Sequence, residues 1–134
     1  MQQNGQGVRA RRTRKLLRQA LIELIEQRGF DRVTVAELTE RALISRAAFY
    51  RNYRDKFHLA EEIFDEALGE LVATMADEAE PPLDRWTRFF EHVGEYHRFY
   101  GVLLGRKGDP WFAERMRGRL SEMVESQVAS LEVV

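Results

Sequence analysis

The stretch Thr34-Val-Ala-Glu-Leu-Thr-Glu-Arg-Ala-Leu-Ile-Ser-Arg-Ala-Ala-Phe-Tyr-Arg-Asn-Tyr-Arg-Asp-Lys56 decides how this chain is read. Thr34 and Glu37 stand three apart in front of an apolar position, which is the pattern of a capping box. They predict a short helix from Val35 to about Ala42, with Val35 and Leu38 facing inward. Leu43 and Ile44 interrupt it. Ser45 is a good N-cap for a following helix over Arg46 to Asn52, with Phe49 turned to the core. Two short helices joined by so few residues have helix-turn-helix spacing. Such a unit lays its second helix in a DNA major groove. Around Phe49 that helix carries Arg46, Tyr50, Arg51 and Asn52. Arginine can read guanine with two hydrogen bonds, asparagine can read adenine, and a tyrosine hydroxyl can hold a phosphate.

Upstream, residues 1 to 8 read as a disordered, polar lead-in. Five cations crowd the seven residues Arg9 to Lys15, and of these Arg12 and Arg14 are candidates for phosphate contact. Leu17, Leu21, Leu24 and Ile25 recur at helical spacing within a helix over Thr13 to Arg28. Gly29 stops it and Phe30 returns to the core.

Downstream, Asp55 caps a longer helix with apolar positions at Leu59, Ile63, Phe64, Ala67, Leu68, Leu71, Val72 and Met75. Pro81-Pro82 is a boundary, because proline fixes φ and lacks an N–H. A fifth helix is expected from Leu83 to Leu104. Its packed stripe reads Leu83, Trp86, Phe90, Val93, His97, Tyr100 and Leu104, widened by Phe89, Tyr96 and Phe99. After a loop from Gly105, Asp109 caps a sixth helix with Pro110 in its first turn. Phe112, Met116, Leu120, Met123 and Gln127 run down one side of it. With no strand pattern and no repeat, the fold expected is all-α. The divisions are the lead-in at 1–8, a DNA-binding unit at 9–56, a connecting helix at 57–80 and a helical regulatory part at 81–134.

Composition excludes much else. The 134 residues include no cysteine, which removes disulfide frameworks and thiolate chemistry. No apolar run is long enough to span a membrane, and the N-terminus has no signal-peptide core, so a cytoplasmic chain is expected. Net charge of −1 conceals an asymmetry. Residues 1–58 hold 13 Lys/Arg against 6 Asp/Glu, and residues 59–134 hold 8 against 16. The basic half suits a polyanion. Catalysis, metal and cofactor are not expected. Asp55-x-x-His58 with Glu61 and Glu62 lacks the second Glu-x-x-His helix that a carboxylate-bundle site needs. His92 and His97 are five apart rather than four. There is no phosphate-cradling glycine loop and no nucleophile elbow.

The segment from Thr34 to Leu59 resembles the DNA-binding domain of the TetR family of bacterial repressors. Thr34, Val35, Leu38, Ala42 and Ile44 match its first helix and turn. Ser45, Phe49, Tyr50 and Tyr53 match its second helix, and Asp55, Lys56 and Leu59 the start of the next. Leu43 stands where the family has glycine, and Ala47-Ala48 where it often has Gly-Thr. The resemblance covers about residues 10 to 70. It implies phosphate contacts from Thr34, Ser45, Tyr50 and Lys56, and base contacts from Arg46, Ala47, Arg51 and Asn52. It also implies a homodimer on a palindromic, double-stranded DNA operator, acting as a repressor and released by a small-molecule effector. Trp86, Phe90, His97, Tyr100 and Trp111 are the candidates for lining that effector's pocket. Family members usually continue well beyond this length, so residues 81–134 correspond to a fragment of the regulatory part or to one that dimerises through its last two helices. The alternative is a helical interaction module whose basic half docks an acidic protein.

Overall fold

Gly29 ends the first helix, α1 (Gln2–Arg28), because its backbone takes φ 83° and ψ 150°, a region open in practice to glycine alone. A single 3-10 turn, Phe30–Arg32, leads into α2 (Val35–Ala42) and α3 (Arg46–Asn52). Then come α4 (Lys56–Ala76), α5 (Pro82–Leu104) and α6 (Pro110–Glu132). This computed structural model describes residues 2–76, 79 and 81–132, with side chains except at 2–6, 75, 76, 127 and 130–132. Met75 and Gln127, assigned above to helix stripes, lie outside the described side chains. Among the described residues no strand occurs, so the all-α expectation holds.

The start of α1 departs from expectation. Residues 2–8 are helical rather than a disordered lead-in. Extending a helix that tertiary packing has already nucleated costs little per residue, and no proline stops it here.

One core runs through all six helices. Leu17, Leu21 and Ile25 of α1 meet Leu38 of α2, Phe49 of α3 and Leu59, Ile63 and Phe64 of α4, with Tyr96, Phe99, Leu103, Phe112 and Met116 beyond. The inward positions read for α1 and α3 are the observed ones, and on α6 Phe112 and Met116 are buried with Leu120 and Met123 partly so. On α4, Val72 is an exception and faces out.

α5 is rotated from the face read in its sequence. Trp86 is 59% exposed and Phe90 64%, and Leu83, Val93 and His97 also face outward. His92, Tyr96, Phe99 and Leu103 are buried instead, while Tyr100 and Leu104 sit at the edge. Both runs recur at three and four, so periodicity cannot choose between them. α1 and α4 decide: Arg18 of α1 lies 4.5 Å over the Tyr96 ring, and Phe64 of α4 packs edge-on against Tyr100.

α2 ends with its last carbonyls capped by the next two amides. Leu43 N–H donates to Glu40 and Ile44 N–H to Thr39, at 3.3 and 3.0 Å. This places Leu43 in the left-handed region at φ 59°, with its side chain 91% exposed. Two backbone substitutions should therefore move stability in opposite directions. Gly29→Ala should cost roughly 1–3 kcal/mol by forcing a β-carbon into a forbidden region. Leu43→Gly removes left-handed strain and no packing, and should add up to about 1 kcal/mol after glycine's own entropy cost. Urea midpoints of the two variants test both signs.

His92 is buried with its Nδ1 lacking a hydrogen-bond partner among the described residues. Glu70 Oε2 is 3.9 Å from Nδ1, and Tyr100 Oη is 3.4 Å from Nε2. Burial pushes its pKa down and Glu95 pulls the other way. The unfolded chain then binds this proton more readily, so the stability held above about pH 6.5 is lost as pH falls. Glu70, pushed up by burial, acts with the opposite sign, and the Tyr96 and Tyr100 hydroxyls stay protonated throughout. The His92 contribution is thus the difference from His92→Gln between pH 7.5 and 5.5. The parent should lose more stability than the variant across that interval.

Candidate nucleic-acid interface

Two caps set the geometry of the α2–α3 unit. Thr34 Oγ1 accepts the Glu37 N–H at 3.1 Å and its own O–H donates to Glu37 Oε1 at 3.0 Å. Arg28 pairs with Glu37 at 2.5 Å and ties this cap to the end of α1. Ser45 Oγ accepts the Ala48 N–H at 3.0 Å and starts α3. Its O–H remains available to a phosphate, whereas that of Thr34 is spent on a carboxylate. Any phosphate contact at Thr34 therefore falls to the backbone amides of the first turn of α2.

α3 is held from below. Phe49 is fully buried, and its ring meets Tyr53 at 5.3 Å. Tyr53 packs edge-on against His58 of α4, and Asp55 Oδ1 caps α4 by accepting the His58 N–H at 2.8 Å. With Phe49 and Tyr53 fixed, α3 presents Arg46, Ala47, Tyr50 and Arg51 to solvent. Arg46 with Tyr50, and Ala47 with Arg51, stand four apart and share a face. Tyr50 is 56% exposed, which leaves its hydroxyl free to reach outward. Asn52 is exposed as well, but its Nδ2 donates to the Ala48 carbonyl at 3.2 Å, so reading a base requires that bond to open.

Lys56, which the resemblance assigns to a phosphate, is engaged inside the protein in this structure. Its ammonium donates to the carbonyls of Phe30, Asp31 and Val33 at 2.6, 2.9 and 2.9 Å. All three protons are committed, and the group lies 4.8 Å over the Phe30 ring. Burial pushes its pKa below the ordinary lysine value, and Asp31 and Asp109 pull it back. It clamps the 3-10 turn to the start of α4.

The basic run of α1 divides between two faces. Arg9, Ala10, Thr13 and Arg14 form one wall of a hollow whose other wall is Ala48, Arg51, Asn52 and Tyr53. Arg11, Lys15 and Arg18 turn the other way, onto Glu66, Glu70 and Glu95. Arg14 is paired with Glu66 at 3.1 Å, so its charge is largely used inside the protein. Arg12 is exposed and lines neither hollow. Arg9 and Thr13 are the residues the sequence reading missed. Their four-residue spacing was visible, but the side of α1 that meets α3 was not.

The five effector candidates do not converge. Trp86 stacks on Phe90 at 5.9 Å on the outer face of α5. His97 Nδ1 stays with its own helix, 3.0 Å from the Gly94 carbonyl. Trp111 is 62% exposed beside Arg115, and Tyr100 is half-buried with its hydroxyl pushed up to about 12 by burial. Among the described residues no group of His, Asp and Glu could hold a metal ion, and no helix is long and apolar enough to cross a membrane.

Residues 17–63 match the family model described as bacterial regulatory proteins, tetR family. The chain is also similar to an uncharacterized HTH-type transcriptional regulator, YxbF, of Bacillus subtilis (strain 168). Identity is 32% over 98 residues, which is 67% of this chain and 26% of that relative. The chain thus spans about a quarter of the length of the curated relative it matches.

The interface predicts a separation of roles. Arg51→Ala should weaken binding to a cognate duplex by roughly tenfold or more. Lys56→Ala should leave the slope of log affinity against log salt unchanged, since no counterion-releasing contact is lost. Instead it should lower the unfolding free energy by about 2 kcal/mol. Salt titrations and urea melts on the two variants check both.

Proposed function

Because the chain belongs, through residues 17–63, to the tetR family of bacterial transcription regulators, we propose that it works as a repressor released by a small molecule. In this reading residues 9–56 contact the operator, the helix within 57–80 is the lever, and residues 81–134 belong to the regulatory part. Two copies bind a palindrome in the cytoplasm, each laying α3 in a major groove, with half-sites about 34–36 Å apart. The observation that carries the reading is the α3 surface: Arg46, Tyr50 and Arg51 exposed on a helix whose opposite side is pinned by Phe49.

The coupling route is supported by the packing of α4. Ile63 and Phe64 share the core with both α1 and α5. Arg14 of α1 pairs with Glu66 of α4, and Arg18 of α1 with Glu95 of α5. A displacement of α4 therefore carries α1, and with it the wall of the hollow facing α3. An effector acts only to the extent that it binds the displaced state more tightly.

Selection of bound duplexes from a random pool at near-physiological salt tests this. Enrichment of a palindrome with half-sites one helical turn apart is the expected result. Recovery of unenriched DNA with only salt-sensitive binding would refute the specific-operator reading.

A further inference from the structure

A cavity of about 380 Å³ lies between Thr74 of α4 and Pro82, Arg85, Trp86 and Phe89 of α5. Its walls are apolar. Trp86 and Phe89 meet edge to face at 5.9 Å, and the Thr74 hydroxyl is turned away to the Glu70 carbonyl. Among the described residues of this lining Arg85 is the one charged group. Its Nε is buried and has no hydrogen-bond partner among the described residues. A buried guanidinium N–H left unpaired costs free energy that an incoming anion would recover. The N-terminus of α5 borders the same cavity, starts at Pro82 and carries no side-chain cap. The helix dipole favours negative charge there as well, and Asp84 of the same first turn already supplies some of it.

We infer that this cavity binds a small amphipathic anion, with its acidic group on Arg85 and its apolar body between Trp86, Phe89 and Pro82. The volume is at the lower end of the range for small-molecule pockets, so the ligand is compact. The inference rests on residues 81–134 belonging to an effector-binding part, and it names the chemical class of that effector. The site differs from the one expected from sequence, since of the five candidates Trp86 alone borders the cavity. It lies against the C-terminal end of α4, where an occupant can bear directly on the lever.

The probes are octanoate, octan-1-ol and octylamine, added to the full chain in a Trp111→Phe background so that Trp86 is the reporting indole. Octanoate should shift Trp86 emission saturably and bind at least roughly tenfold tighter than octan-1-ol, with octylamine weakest. Arg85→Gln should erase the preference for octanoate, and Arg85→Lys should keep part of it. Circular dichroism of each variant confirms folding. If Arg85→Gln fails to fold, the preference in the parent and in Arg85→Lys decides. Equal binding of octanoate and octan-1-ol would overturn the inference, as expected if Arg85 serves only an internal pairing. Loss of the emission response to all three would overturn it too. No DNA is present in this assay, so its failure is distinguishable from failure of the operator reading.

Discussion

Phe30 is the point on which the two ends of the molecule depend. Its side chain is fully buried, stacked on Phe112 of α6 at 6.4 Å and edge-on to Phe57 of α4 at 5.1 Å. Its backbone is equally committed. The N–H donates to the Lys107 carbonyl at 2.7 Å, and its carbonyl accepts from Lys56. Lys107 returns a bond to the Glu26 carbonyl of α1. One residue after Gly29 thus ties α1, α4, α6 and the loop before α6 together. That loop folds tightly back on the end of α5 because Gly108 has no side chain, since a β-carbon there would lie 2.2 Å from the Leu103 carbonyl. The α2–α3 unit follows this knot directly in the chain.

The charge asymmetry has a second meaning in three dimensions. Much of it is internal. Arg14 and Arg18 reach Glu66 and Glu95, Arg98 reaches Glu26, and Arg115 and Arg119 reach Glu61 and Asp65. Exposed pairs of this kind contribute little stability singly. Their value is positional, because they set which sides of α1, α4, α5 and α6 face one another. Among the cations outside these pairs, Arg9 in the N-terminal part of α1 and Arg51 on α3 line opposite walls of a shared hollow.

α3 has seven residues, too few to persist as a helix alone. It exists because Ser45 caps it and Phe49 and Tyr53 bury against the rest. The consequence is a rigid platform made from a segment with no stability of its own.

The caps and turns are legible from residues alone because their physics is local. Thr34 with Glu37, Ser45, Gly29 and Asp55 act within four residues of themselves, and each does what its chemistry requires. The same locality makes the exposed face of α3 readable once Phe49 is placed inward. The internal partners of Lys56 are not legible because they lie 23 to 26 residues away, and an ammonium looks alike in sequence whether it meets phosphates or carbonyls. α5 misleads because two apolar stripes share one period, and the choice belongs to the helices that pack against it. The cavity at Arg85 and the place of Arg9 beside Arg51 are beyond the reach of sequence for the same reason. Sequence by itself determined the caps and turns that bound α2 and α3, the stop of α1 at Gly29, and which residues lie on the exposed face of α3. Tertiary structure alone decided which of the two stripes of α5 is buried and which carbonyls hold Lys56, since both depend on partners distant along the chain.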